Sequence, residues 1–180
     1  MQRYFVGVIH ETLVLVRDDS DFHPGDGRGL ARSGAAQTTA NMAVTLTITA
    51  NCTIGANNLS FGSHGVLNTA LNNTTTVNVT CTNTTPYTVG LSAGTGTGST
   101  FATRYMQGTT TGNTTSVVSY QLYQPAPNQT VVWGDTGTAD RVGGTGNGSS
   151  QALTVNGTVP AQTTPAPDTY SSTVTATVYF

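Results

Sequence analysis

The sequence predicts an all-β protein, an antiparallel sandwich or barrel, and three observations carry the prediction. Thr, Val, Gly and Asn are abundant in the 180-residue chain, and the first two favour strands while the last two favour the turns between them. Short runs with strand character recur between turn clusters from Thr38 onward, with no credible amphipathic helix among them. Only 8% of residues are charged while 36% are hydrophobic. Ordinary soluble domains carry roughly 25% charge, so these strands lack most of the charges that usually keep sheet edges apart.

Residues 1–36 differ in kind from the rest of the chain. They hold Arg3, Arg17, Arg28 and Arg32 and the acids Glu11, Asp18, Asp19, Asp21 and Asp26, most of the charged residues of the chain. Tyr4 to Ile9 begins like a secretory signal, but His10-Glu11 and Arg17-Asp-Asp19 interrupt the apolar region. Ser33-Gly-Ala-Ala36 has the small-residue character of a cleavage region. We expect residues 1–36 to be a disordered leader or a mis-assigned start, and residues 37–180 to be one domain, which this length suits.

Met42-Ala-Val-Thr-Leu-Thr-Ile48 opens that domain. Its alternation puts Met42, Val44, Leu46 and Ile48 on one face of an extended strand. Strand-like runs are expected at 43–53, 66–71, 75–82, 87–92, 117–123, 130–133, 151–159 and 171–180. Within them Val77, Val79 and Cys81 share a face, as do Tyr87, Val89 and Leu91. The closing run aligns Tyr170, Val174, Ala176, Val178 and Phe180, and its end inside a strand suggests that the terminus itself is recognised. Ala161 to Pro167 is a proline-stiffened loop leading into it.

Cys52 and Cys81 are the two cysteines. A bridge between them would close a loop of about 30 residues, contribute on the order of 3–4 kcal/mol and imply an oxidising compartment. Two separate buried thiols are the alternative.

Several functions are excluded or weakened. A net charge of -2 without a single Lys gives no phosphate-tracking surface and no anionic-membrane patch, so neither nucleic acid nor a membrane is an expected partner. No apolar stretch is long enough to insert as a membrane span. The glycine-rich segments 93–98 and 143–148 lack the following helix that a phosphate site needs, and are expected to be hairpin connections. His64 with Asp135, Asp140 or Asp168 makes a serine-type triad only on paper, because no nucleophile motif accompanies them. No catalytic residue, metal or cofactor is expected, and the protein is not expected to be an enzyme. Sequons such as Asn78-Val-Thr80, Asn113-Thr-Thr115 and Asn156-Gly-Thr158 arise by chance in a Thr/Asn-rich chain. Trp133, Tyr123, Tyr105 and Tyr120 are expected to be core and interface aromatics rather than a sugar-binding face.

The alternating N-terminal strand running into TANCTIG, then LSFG at Leu59 to Gly62, the second cysteine in VNVTCTN and the closing DTYSSTVTATVYF together resemble the spore coat protein U family, which includes pilin subunits of archaic chaperone-usher pili. The resemblance covers about Thr38 to Phe180. It implies an immunoglobulin-like sandwich lacking its last strand, so that a hydrophobic groove stays open until donor-strand exchange completes it. Carried over, residues 37–48 are the donor strand, with Met42, Val44, Leu46 and Ile48 as its inserting face, and Cys52 and Cys81 match the family's cysteines. Tyr170, Val174, Val178, Tyr179 and Phe180 form the C-terminal strand that a chaperone grips. The partners implied are a periplasmic pilus chaperone, an outer-membrane usher and other pilin copies, along a route through the periplasm to a surface fibre or a spore or cyst coat with a role in adhesion or biofilm formation. A self-contained secreted adhesin binding glycan is the other reading.

Overall fold

The computed structural model describes residues 34–180; the expectations for residues 1–33 lie outside them. The chain parts at Val44 and Thr45 into two units, each taken by itself. In the first, residues 34–44 form no regular secondary structure and are exposed. The sheets and the core belong to the second.

Nine strands and no helix make up the described residues: β1 Cys52–Ala56, β2 Leu71–Cys81, β3 Pro86–Leu91, β4 Arg104–Gly108, β5 Val117–Tyr123, β6 Val142–Thr145, β7 Ser150–Val159, β8 Tyr170–Ser171 and β9 Ala176–Tyr179. They form a six-stranded sheet in the order β1-β2-β7-β5-β4-β8 and a three-stranded sheet in the order β6-β3-β9. Each strand pairing is antiparallel.

The alternating residues do what their period dictates. Val77, Val79 and Cys81 of β2, Val118, Tyr120 and Leu122 of β5, and Val155 and Val159 of β7 meet Tyr87, Val89 and Leu91 of β3 in one core. Trp133 is completely buried there, its indole N–H donating to the Val89 carbonyl at 2.8 Å. On the other face of β2, Thr76, Asn78 and Thr80 are half-buried polar residues. β1 is an edge strand bound to β2 from Cys52↔Cys81 to Ala56↔Val77. The Cys52–Cys81 disulfide, 29 residues apart in sequence, fastens that edge.

Several strand expectations need correction. In the run 43–53 the strand begins only at Cys52; in 66–71 only Leu71 is strand; and 130–133 supplies a single bridge, Tyr123↔Val132. The segment 143–148 is not merely a connection, since its first half lies in β6. Gly144 is needed there because a Cβ would stand 2.5 Å from the Tyr87 ring. β4 lies outside all the expected runs. The closing run is not one strand: β8 pairs with β4 in the larger sheet, and β9 pairs with β3 in the smaller one. Between them Ser172 to Thr175 crosses from sheet to sheet, held by Thr173 N–H to Thr95 Oγ1 at 3.0 Å and Thr175 N–H to Ser92 Oγ at 2.9 Å.

Candidate functional site

Where the last strand changes sheets, the sandwich does not close. Two adjoining cavities open over the core face of the larger sheet, of about 560 Å³ and 440 Å³, and the smaller also reaches Leu91 of β3 and Ala176 of β9. Their floor is the core itself: Val118, Val159 and Leu71 under the larger, Tyr120, Leu122, Val155, Val77 and Leu91 under the smaller. Leu59, Phe61, Met106 and Tyr170 line both.

One wall is the chain that continues β1. Leu59 and Phe61 turn inward and pack on the core, over Gly157, where a Cβ would run into both side chains. Side chains of β2 hold this wall: Thr75 Oγ1 donates to the Asn57 carbonyl at 3.2 Å and the Asn58 carbonyl at 3.1 Å, and Asn73 Nδ2 donates to the Ser60 carbonyl at 2.5 Å. Among the described residues the amides of Asn58, Leu59, Ser60 and Phe61 make no backbone hydrogen bond. The opposite wall is Tyr170 to Ala176, with Val174 and Ala176 packed on the core. An apolar floor beside a wall whose amides from Asn58 to Phe61 have no backbone partner is the geometry that accepts an added strand.

Met42, Val44, Leu46 and Ile48 are 85%, 87%, 86% and 75% exposed, so no part of this stripe is buried. Thr49 to Asn51 is fastened to Thr82 at the Cys52 end of β1, Asn51 N–H donating to Thr82 Oγ1 at 3.1 Å and Thr82 N–H to the Asn51 carbonyl at 2.9 Å. At the other terminus Tyr170, Val174 and Val178 are half-buried, Tyr179 is 39% exposed and Phe180 61%.

Tyr179 is also held by polar contacts. Its hydroxyl donates to Asp135 Oδ2 at 3.0 Å, Arg141 Nε meets Asp135 Oδ1 at 2.6 Å, and the Arg141 guanidinium lies 3.8 Å from the centre of the Tyr179 ring. The hydrogen bond to Asp135 is the main cause pushing the Tyr179 phenol up from its ordinary value.

Sequence reasoning missed Arg104 and Met106, both on β4. Arg104 is completely buried. Its guanidinium donates to the carbonyls of Leu91 at 3.2 Å, Ser92 at 3.0 Å and Trp133 at 2.7 Å, and to Gln121 Oε1. Burial pulls its pKa down. The network ties the end of β3 to β4, β5 and the Trp133 segment, and so fixes Leu91 and Tyr120 in the groove floor. An alternation of inward Arg104 and Met106 with Tyr105 and Gln107 was present in the sequence, but a charged residue in an inward position hides such a strand from hydrophobic pattern.

The acids that could accompany His64 on paper are engaged elsewhere. Asp135 holds Arg141 and Tyr179. Asp140 receives Thr136 Oγ1 at 2.7 Å and the amides of Thr136 at 2.9 Å and Gly137 at 3.0 Å. Burial pushes its carboxyl up, but these bonds outweigh it and the net shift is down. Asp168 receives Asn113 Nδ2 at 2.8 Å, Thr110 Oγ1 at 2.8 Å and Thr110 N–H at 3.0 Å. Those hydrogen bonds, the Asn113 side chain first, hold its carboxyl well below the usual range. His64 Nε2 contacts the Phe61 carbonyl at 2.7 Å. Among the described residues no three His, Cys, Asp or Glu side chains gather as a metal ion would need. Trp133 and Tyr120 are core residues, whereas Tyr105 and Tyr123 are half-buried.

Comparison with solved structures finds a related fold in a CsuC–CsuE chaperone–tip adhesion subunit pre-assembly complex from archaic chaperone-usher Csu pili of Acinetobacter baumannii. The TM-score is 0.51 at 24% identity, over 74% of this chain and 40% of that one, so this chain spans about two-fifths of its length. No curated protein matches in sequence. The fold is thus that of an immunoglobulin-like sandwich. The Spore Coat Protein U domain matches residues 38–177, and on a match spanning most of its length this chain belongs to the Spore Coat Protein U domain family.

Proposed function

We propose that this protein is a structural subunit of a chaperone-usher surface fibre, exported through the periplasm and polymerised by donor-strand complementation. The carrying observation is a pair of complementary features: a groove with an apolar floor and a wall of unpaired amides from Asn58 to Phe61, and a four-residue apolar stripe that is almost wholly exposed. Main-chain hydrogen bonds to the unpaired amides supply affinity, and alternate side chains seated on the floor supply specificity. Each of the four side chains, once buried, contributes roughly 1.5–3 kcal/mol.

The donor strand belongs to a second copy. From the Thr82 anchor at Thr49, the groove begins only at Ala56, the far end of β1. That is about 23 Å at a strand rise of ~3.3 Å per residue. The stretch Met42 to Ile48, folded back, has the same length and brings Met42 only to the near end of its own groove. An open groove must therefore be covered by another chain, first a periplasmic chaperone that also grips Tyr170 to Phe180, then the next subunit through the usher. The surface fibre, with adhesion and biofilm formation as its use, follows from this assembly. A closed, self-contained adhesin would use Met42 to Ile48 as its own first strand, and the exposure of that stripe weighs against it.

The test is deletion of Thr38 to Ile48 in the full chain. Polymers should vanish while chaperone binding persists. A deletion variant that polymerises like its parent, or a parent that stays monomeric at every concentration once freed of chaperone, refutes the proposal.

A further inference from the structure

The groove is divided. Two cavities, one of about 560 Å³ and one of about 440 Å³, share Leu59, Phe61, Met106 and Tyr170, so these four side chains form the partition between them. Inward side chains of an inserted strand recur every second residue, about 6.6–6.8 Å apart, and one of them has to stand at the partition. We propose that Val44 of the incoming copy occupies it and thereby sets the register of insertion. This rests on the donor-strand reading and adds to it the residue that decides the alignment.

Val44 is the shortest of the four inserting side chains, and its branched Cβ leaves it stiff at χ1. With Val44 at the partition, Met42 falls on one side and Leu46 with Ile48 on the other. Two side chains suit the larger cavity, over Leu71, Val118 and Val159. The single Met42, unbranched and adaptable, suits the smaller one, beside Val174 and Ala176.

The same placement fixes direction. The wall chain runs from Thr164 to Thr169, which line only the larger cavity, through Tyr170 at the partition to Val174 and Ala176, which line only the smaller. Met42 to Ile48 then runs the opposite way, from smaller to larger. The inserted strand is antiparallel to that wall, as are the strand pairings already present in the domain. Shifting the register by two residues would put Leu46 at the partition, where a longer side chain meets Phe61 and Met106, and would leave the larger cavity with Ile48 alone.

The experiment uses the full chain carrying Leu46→Asp, which disables its own donor strand, and labelled peptides spanning residues 38–49, followed by fluorescence anisotropy. Overpacking a close-fitting position costs enough for at least ~10-fold in affinity, so a Val44→Phe peptide should bind at least ~10-fold more weakly than the native peptide. A Met42→Phe peptide should stay within ~3-fold, because its cavity has room. Widening the partition with Met106→Ala or Phe61→Ala should restore binding of the Val44→Phe peptide. Failure of the native peptide to bind refutes the donor-strand reading itself. Native binding with equal losses for both Phe peptides, or with no loss for Val44→Phe, overturns the register. So does the absence of rescue in both widened acceptors when each still binds the native peptide.

Discussion

Replacing Arg104 by Met removes the most heavily bonded side chain of the core while keeping much of its length. The completely buried guanidinium donates to the carbonyls of Leu91 at 3.2 Å, Ser92 at 3.0 Å and Trp133 at 2.7 Å and to Gln121 Oε1. The substitution strands three carbonyls at once, while Gln121 Oε1 keeps the Leu122 N–H at 2.9 Å. A buried polar atom left without its partner costs about 1–3 kcal/mol, and the relief of no longer burying a charge returns part of that sum. A net loss of about 3–5 kcal/mol is expected, a large fraction of the roughly 5–15 kcal/mol by which domains are stable. Equilibrium unfolding in urea measures it, with an unchanged m-value certifying that the denatured state is the same. Arg104→Lys should fall between, because one ammonium cannot reproduce the planar fork. The groove should suffer with the core, since Leu91 and Tyr120 lie in its floor. An Arg104→Met protein within ~1 kcal/mol of the parent would show that repacking or water satisfies those carbonyls as well as Arg104 does, and would refute the assignment of the network as the tie between β3, β4, β5 and the Trp133 segment.

Two further outcomes are expected. Reducing the Cys52–Cys81 bridge, which spans 29 residues, should cost about 3–4 kcal/mol on the loop-entropy model; hydrogen exchange should quicken first in β1, an edge strand paired only with β2, and uniform quickening across both sheets would contradict this. Asp168 makes stability depend on pH. Its hydrogen bonds from Asn113 and Thr110 hold the folded pKa well below the unfolded value, so its contribution is fully present above the unfolded carboxylate range near pH ~4 and fades as pH falls toward the folded value. The difference in urea midpoint between the parent and Asp168→Asn should therefore be constant near neutrality and shrink below pH ~4, and a difference that grows on acidification would reverse the sign.

Part of this fold was legible residue by residue. Val77, Val79 and Cys81, and again Tyr87, Val89 and Leu91, announced buried faces because a strand repeats every second residue and burial follows that repeat. The Cys52–Cys81 bridge was legible as a candidate for a different reason, since these are the two cysteines of the chain. β4 was not, because Arg104 occupies an inward position that only its carbonyl partners make tolerable. β6 was hidden by Gly143 and Gly144, the second of which the close approach of the Tyr87 ring demands.

The sequence by itself determined that the chain is all-β, where most of its inward faces lie, and that one apolar stripe stands ahead of the first cysteine. Local side-chain period suffices for that. Only the tertiary structure decided that the closing run splits between two sheets, because alternation records which face a residue takes and not which backbone it bonds. The groove is of the same kind. Its lining comes from residues as far apart as Ala56, Val155 and Ala176, and a space between them has no residue of its own to carry a pattern.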